Sequence, residues 1–255
     1  MNLKRILTFF LVILALSIIS ILYNPNPTGN TIKQDYPNET AILERVIDGD
    51  TIVVTGDTIG NSTHIRLLGI NTPEKKMPFS NEAANFLKQF ENKTIVLQRD
   101  WEDIDKYKRK LRYVFYEGNF INKKILENGF ANTYYLPGLR YESELKNAET
   151  SAKEQGIGIW TKSQETCAEN NCIVLNELNY TDEFFAIQNI CNFDCDMNGW
   201  FVKDAGRNVF YLSNLNSGEQ KTYPSKNNTN IWNNDGDRFF MFDKNGYLVL
   251  FYEYS

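Results

Sequence analysis

The amino-acid sequence predicts a mainly β protein with a few helices, built from two successive β-rich segments. Two observations favour this class. Short apolar runs separated by turn-forming residues recur along most of the chain, and helical patterns interrupt them only in the first half. With 255 residues, 42% of them hydrophobic and 14% aromatic, the chain is also long enough to bury a separate core in each segment.

The first segment, 42–160, alternates strands with helices. Its predicted strands lie at 42–47, 51–57, 62–70, 93–101 and 110–118. Its predicted helices lie at 81–92, 120–129 and 141–156, with Ser80 and Asn119 as caps of the first two and glycines at the ends of the last two. Five strands interrupted by a helix fit a small Greek-key barrel of the oligonucleotide/oligosaccharide-binding (OB) type.

The second segment, 172–255, contains strand-like runs without helical patterns. Turn signals such as Lys244-Asn245-Gly246 separate these short runs. Short strands at this spacing predict an immunoglobulin-like β-sandwich. The polar stretch 161–171 is predicted to link barrel and sandwich, and another, 24–41, to precede the barrel.

The first 23 residues predict export from the cytoplasm. Lys4 and Arg5 precede an uncharged, mostly apolar run at 6–23, which is close to the lower length limit for spanning a bilayer. This run is either a cleaved signal peptide or an uncleaved membrane anchor. Because no clear small-x-small cleavage site follows it, we favour the anchor, with Lys4 and Arg5 on the inner side.

The cysteines agree with export. An even number of cysteines in an exported domain predicts two disulfides, and sequence does not choose among the three possible pairings. A metal knuckle is the alternative, although its cysteines usually have two residues between them and the spacings here are longer. The four cysteines are Cys167, Cys172, Cys191 and Cys195.

The charge distribution and the histidine content limit the kinds of binding and catalytic site that the chain can form. The formal net charge of −5 does not indicate a general nucleic-acid binder. Residues 42–160 carry 17 basic and 17 acidic residues, whereas 161–255 carry 7 and 13, so the first segment is the better candidate for binding phosphate. The single histidine, His64, excludes a histidine-rich zinc site, and we interpret it as an ordinary strand residue. Hydrolytic chemistry would therefore depend on carboxylates, arginines and a hard cation.

Two short motifs supply carboxylates that could form a cation site. The bend Asp48-Gly49-Asp50 places two carboxylates close together, where they repel unless a cation or arginines neutralise them. The stretch "IRLLGINTPE" holds Arg66 on a strand and ends in a corner that can aim the Thr72 carbonyl and the Glu74 carboxylate. Oxygen ligands of these kinds are what calcium prefers.

A third motif is the basic cluster "KYKRK" at 106–110. A charge run of this kind is usually a solvated loop. Beside a cation site it would instead clamp a phosphate, because an arginine guanidinium can form two parallel hydrogen bonds to phosphate oxygens.

Taken together, "VIDGDT", "IRLLGINTPE", "DKYKRKLRY", "ILENGFA" and "GIW" closely resemble the staphylococcal nuclease (thermonuclease) family in order and spacing. The resemblance covers about 42–160. It implies Ca²⁺-dependent hydrolysis of the phosphodiester bonds of DNA and RNA, with 3′-phosphate products. Such hydrolysis builds negative charge at phosphorus, which a cation and two guanidiniums stabilise.

The resemblance also implies a role for each site residue. The implied calcium ligands are Asp50, Asp48, Asn71 and the carbonyl of Thr72. The implied catalytic residues are Arg66 and Arg109, which grip the phosphate, and Glu74, which orients or deprotonates the attacking water. The implied substrate-binding residues are Lys106, Tyr107 and Tyr135.

Asn71 is a departure, because well-studied family members carry aspartate at this position. An asparagine oxygen can still bind calcium but adds no charge, so we expect weaker calcium binding. The complete set of Arg66, Glu74 and Arg109 favours an active enzyme. The alternative is a catalytically weak or inactive nucleic-acid-binding envelope protein.

The second segment resembles the lamin tail domain over 172–255. The residues that carry this resemblance are Asn176-Glu177, Gly199-Trp200, Asp235-Gly236-Asp237 and the last hairpin. It implies a β-sandwich that serves as an accessory binding or surface-targeting module, with an unidentified partner. We expect Trp200 in its core and the two aspartates in a turn. The acidity of the segment argues against a direct grip on DNA.

Overall fold

The first strands close into a barrel in the computed structural model, which describes residues 36–134, 138–225 and 231–254. The strands are β1 (Glu39–Val46), β2 (Thr51–Gly56), β3 (Gly60–Leu67), β4 (Ile70–Asn71), β5 (Thr94–Gln98), β6 (Lys110–Tyr116), β7 (Asn119–Phe120) and β8 (Asn132–Thr133). Their order is β3-β2-β1-β5-β6-β7, and parallel pairing of β3 with β6 closes the barrel. The predicted OB-type barrel is confirmed.

Helices cover the barrel and β4 leaves it. The helices are α1 (Ser80–Lys88), α2 (Ile121–Glu127) and α3 (Glu142–Gln155), followed by the 3₁₀ turn Gly158–Trp160. In β1, Ala41 and Leu43 are buried whereas Ile42 is exposed, as expected for a strand with one face on a core. After β3 the chain turns, and β4 pairs with β8 instead of the barrel.

Two predicted helix caps are wrong. Phe79, with a left-handed φ of 66°, precedes α1, and the Ser80 hydroxyl donates to the Met77 carbonyl at 2.6 Å. Asn119 lies in β7, and Phe120 precedes α2. Ser80 fails as a cap because its hydroxyl bonds backward to the preceding turn. The predicted stop at Gly156 is confirmed, with a φ of 63°.

The second segment forms two antiparallel sheets around one core. Its strands are β9 (Ile173–Asn179), β10 (Phe184–Asn189), β11 (Phe201–Lys203), β12 (Val209–Tyr211), β13 (Gln220–Pro224), β14 (Asp237–Phe242) and β15 (Leu248–Tyr254). The sheets have the orders β13-β10-β9 and β12-β11-β14-β15. The Phe185 ring of the first sheet lies 5.2 Å from the rings of Phe210 and Phe239 in the second. Trp200 is buried in this core, as predicted, and the arrangement agrees with a β-sandwich.

Disulfides join Cys167 to Cys195 and Cys172 to Cys191. The first bridge ties the short helix α4 (Thr166–Glu169), within 161–171, to the stretch before β11. All four sulfurs are bonded, so the metal-knuckle alternative is wrong.

The barrel and the sandwich pack against each other through a shared core. The Trp160 ring lies 5.7 Å from the ring of Phe240 and 5.4 Å from that of Phe251. The backbone of 161–163 also pairs with β15, because the Leu248 N–H donates to the Thr161 carbonyl at 2.7 Å. The described residues from Tyr36 onward accordingly form one compact unit.

Several sequence predictions fall on residues that are not described. These are the apolar run 6–23, most of the stretch 24–41, and Tyr135. Within the described ranges, no helix has both the length and the apolar character needed to cross a membrane.

Candidate active site

Asp50 and Arg66 form the buried centre of the site. A salt bridge of 3.1 Å joins Arg66 Nη2 to Asp50 Oδ2, and both side chains are almost fully buried. The N–H and the hydroxyl of Thr72 donate to the same carboxylate oxygen, each at 3.2 Å. The pairing of β2 with β3 sets Thr51 opposite Arg66, which brings the neighbouring Asp50 to the arginine.

The bend Asp48-Gly49-Asp50 requires its central glycine because of close packing. A Cβ at Gly49 would lie 2.5 Å from the Ala83 Cβ in α1 and 2.7 Å from the Thr72 hydroxyl. Real side chains do not approach this closely, so glycine allows the bend to lie against the helix. The Asp50 N–H then donates to the Asp48 carboxylate at 3.1 Å.

The acidic residues of the bend fit a hard cation. Burial, and then the negative charge of Asp50, raise the pKa of Asp48. Arg66 pairs with Asp50 alone, and the Asp48 carboxylate adds a second negative charge beside it, so a cation would offset the excess negative charge. The carboxylates, the Asn71 amide oxygen and the Thr72 carbonyl are oxygen donors of the kind that Ca²⁺ binds. In the structure the Asn71 oxygen accepts a hydrogen bond from Arg66 Nη2 at 3.2 Å.

Arg109 reaches the same centre from the loop before β6. Its Nε and Nη2 each lie 2.7 Å from Asp105 Oδ2, and its Nη1 donates to the Thr51 hydroxyl at 3.0 Å. That hydroxyl donates to Asp50 at 3.0 Å, which connects Arg109 to the buried centre. Burial alone would raise the pKa of Asp105, but the hydrogen bonds and charge of Arg109 outweigh it and lower that pKa.

Exposed side chains surround these arginines. Tyr107 is largely exposed, and its ring lies 5.2 Å from Lys106 Nζ and 5.4 Å from the Arg109 guanidinium. Tyr134 is also exposed. The structure thus brings the predicted Lys106 and Tyr107 to the site, whereas Tyr135 lies outside the described residues.

Glu74 follows the corner after β4 and is paired with a residue of the second segment. Its Oε1 lies 2.7 Å from Arg207 Nε, and each side chain is 46% exposed. Arg207 belongs to Asp204–Asn208, which connects β11 to β12 and is called the 204–208 loop below.

The amide of Asn71 binds this loop. Its Nδ2 donates to the carbonyls of Ala205 and Gly206, both at 3.0 Å. Asn132 Nδ2 donates to the same Ala205 carbonyl at 3.2 Å. An aspartate at position 71 would offer no donor and would place its charge against two carbonyl oxygens. The departure at Asn71 therefore has a structural reason.

Residues of the second segment also form hydrogen bonds with the 204–208 loop. The Ala205 N–H donates to Asp237 Oδ1 at 3.1 Å, while Asp237 Oδ2 accepts from the Asn233 backbone, so Asp237 shapes the turn as predicted. Asp204 accepts two hydrogen bonds from Asn208, at 3.0 and 2.6 Å. Burial raises the pKa of Asp204 to about 6.

A cleft of about 660 Å³ is lined on one side by residues of the first segment and on the other by the 204–208 loop. Six of its lining residues are Arg66, Asn71, Lys106, Tyr107, Arg109 and Arg207. Four of these carry positive charge, against three acidic lining residues, Glu102, Asp105 and Asp204, so the lining has an excess of positive charge and guanidiniums that can bind an anion with oxygen acceptors. Sequence reasoning missed Arg207, because a lone arginine in a turn of an acidic segment gives no local signal.

Comparisons with known proteins agree with this geometry. The family described as staphylococcal nuclease homologue matches residues 64–162, which contain Arg66, Glu74 and Arg109. The chain is 32% identical over 170 residues to a thermonuclease of Staphylococcus intermedius, covering 62% of this chain and 99% of that protein. It is 30% identical over 169 residues to a thermonuclease of Staphylococcus hyicus, with the same two coverages. The SPbeta prophage-derived endonuclease YokF of Bacillus subtilis is 35% identical over 131 residues, covering 48% of this chain and 44% of that protein.

Proposed function

The chain belongs to the staphylococcal nuclease family and is a nuclease that hydrolyses phosphodiester bonds, and we propose that it requires Ca²⁺ and acts outside the cytoplasm. Its proposed substrates are DNA and RNA, and its proposed products carry 3′-phosphates. The observation that carries the proposal is that Arg66, which pairs with Asp50, and Arg109 line one cleft, and that Glu74 is joined by a salt bridge to Arg207 of the same cleft.

Asp50, Asp48, Asn71 and the Thr72 carbonyl would hold the calcium ion. Bound Ca²⁺ would supply positive charge that stabilises the negative charge developing on the phosphate. The neighbouring carboxylates of buried Asp50 and half-buried Asp48, with the raised pKa of Asp48, support this assignment. The guanidiniums of Arg66 and Arg109 would bind the phosphate oxygens in the transition state.

Glu74 is the proposed acceptor of the proton from the attacking water. Its half-exposed carboxylate, at the corner after β4, supports this role because water can reach it. Lys106 and Tyr107, at the rim of the cleft, and Tyr135 are the proposed contacts to the substrate nucleotide.

Two disulfides support the proposed location outside the cytoplasm, because such bonds persist in oxidising compartments. The N-terminal run 6–23 would direct export and, if uncleaved, anchor the chain in the membrane. The nuclease domain is proposed at 42–160, and 172–255 is proposed as a lamin-tail-like accessory module.

Cleavage of single-stranded DNA and RNA by the purified full-length protein tests the proposal. We expect cleavage that depends on added Ca²⁺, stops with a chelator, and falls at least about 100-fold in the Glu74→Gln variant. Glu154→Gln, an exposed change on α3, is the matched control and should keep full activity. Full activity of Glu74→Gln would contradict the mechanism. Oligonucleotide binding without cleavage at any calcium concentration would favour the binding-only alternative.

A further inference from the structure

The 204–208 loop carries a cation of the second segment to the nuclease site. Arg207 pairs with Glu74, and its guanidinium lies 5.9 Å from the Tyr107 ring, which Arg109 also approaches. We propose that Arg207 is a substrate-binding residue that contacts a phosphate of the bound nucleic-acid strand, so that the sandwich supplies one wall of the substrate cleft. This inference rests on the proposed nuclease function.

Hydrogen bonds on both sides hold the loop in place. From the barrel, Asn71 and Asn132 donate to its carbonyls, and from the sandwich Asp237 accepts the Ala205 N–H. The side chains of Asn71, Asn132 and Asp237 are all buried, which favours a fixed loop over a mobile lid. A fixed loop presents Arg207 to every ligand that enters the cleft.

Of three arginine–carboxylate pairs at the site, the pair of Arg207 with Glu74 is the most exposed. Its side chains are both 46% exposed, compared with 9% and 5% for Arg66 and Asp50, and 15% each for Arg109 and Asp105. Exposed ion pairs contribute little to stability, so a phosphate can replace Glu74 as the partner of Arg207 at small expense. That exchange also leaves the Glu74 carboxylate free to accept a proton.

The loop does not fill the site. The cleft of about 660 Å³ exists with Arg207 in place, and pockets of roughly 300–1,000 Å³ accommodate ligands of nucleotide size. A phosphate between the barrel and the loop would meet guanidiniums from both. This geometry favours a binding role for Arg207 over a role in blocking the site.

Salt-dependent binding tests the inference. The dissociation constant of a fluorescent single-stranded DNA is measured in chelator, at several salt concentrations, for the full-length protein and for Arg207→Gln. We expect binding to weaken about fivefold or more, and the slope of log K against log salt to fall in magnitude by about 0.7, the value for one lost phosphate contact. Arg45→Gln, an exposed arginine on β1, is the matched control and should leave both unchanged.

Other outcomes would overturn the inference. Tighter binding by Arg207→Gln, or a higher kcat/KM in calcium, would mean that Arg207 blocks the site. Weaker binding with an unchanged salt slope would mean that Arg207 has a merely structural role. No binding by either protein also contradicts it. Arg207→Lys keeps the charge and should retain the slope even if Arg207→Gln disturbs folding. If the wild type binds but does not cleave, the proposed function fails while the slopes still decide the role of Arg207.

Discussion

At the scale of single residues, Asn71 links the cation site to the second segment. Its oxygen accepts from Arg66, and its amide nitrogen donates to two carbonyls of the 204–208 loop. We expect Asn71→Asp to tighten calcium binding, because it adds a negative charge. We also expect it to lower the calcium-free unfolding free energy by about 1–3 kcal/mol, because both carbonyls lose the hydrogen bond from Asn71. Titration calorimetry and urea unfolding measure the two effects.

Asn71→Ala is the matched control for this prediction. It removes the same two hydrogen bonds to the loop, and also the one from Arg66, without adding charge, so it should destabilise the protein and should not tighten calcium binding. Tighter calcium binding by the alanine variant, or wild-type stability of the aspartate variant, would show that position 71 does not couple the two features.

At the scale of elements, the contact between α1 and the bend before β2 positions the carboxylates. The Cβ of Gly49→Ala would lie within 3 Å of Ala83 and Thr72. We expect this variant to be destabilised by about 1–3 kcal/mol and to bind calcium more weakly, because the bend must move away from the helix. Calorimetry and denaturant unfolding check both expectations.

The control for this prediction is a second substitution, placed in α1, that removes the clash with the new Cβ. Adding Ala83→Gly removes the nearest atom, so the double variant should recover part of the calcium affinity that Gly49→Ala loses. Equal affinities of the single and double variants would show that packing against α1 does not position the bend.

At the scale of the whole molecule, the shared core around Trp160 joins barrel and sandwich. Trp160 is 1% exposed and touches Phe240 and Phe251. We expect Trp160→Ala to lower the unfolding free energy by about 3–5 kcal/mol, because it leaves a large cavity. Trp101, 53% exposed, is the control, and Trp101→Ala should change stability by less than about 0.5 kcal/mol in the same denaturant titration. Similar losses for the two variants would argue against a shared core.

Much of the architecture could be predicted from residue patterns that are local in the sequence. Short apolar runs and the turn residues between them predicted the barrel strands, since such runs are buried in a core whatever their partner strand. The predicted cap at Ser80 was wrong because hydrogen bonding within the preceding turn outweighed the capping preference of serine. The motifs around Arg66, Glu74 and Arg109 pointed to the site because each is a short, continuous stretch beside a strand.

The sequence by itself determined the β-rich class, the barrel, the acidic bend and the nuclease motifs, because these depend on residues that are neighbours along the chain. Only the tertiary structure decided the cysteine pairing, the shared core and the meeting of Arg207 with Glu74. These contacts join residues far apart in sequence, and no local preference specifies them. Burying the apolar faces of both segments against each other brings the 204–208 loop to β4 and β8, where Asn71 and Asn132 donate to its carbonyls.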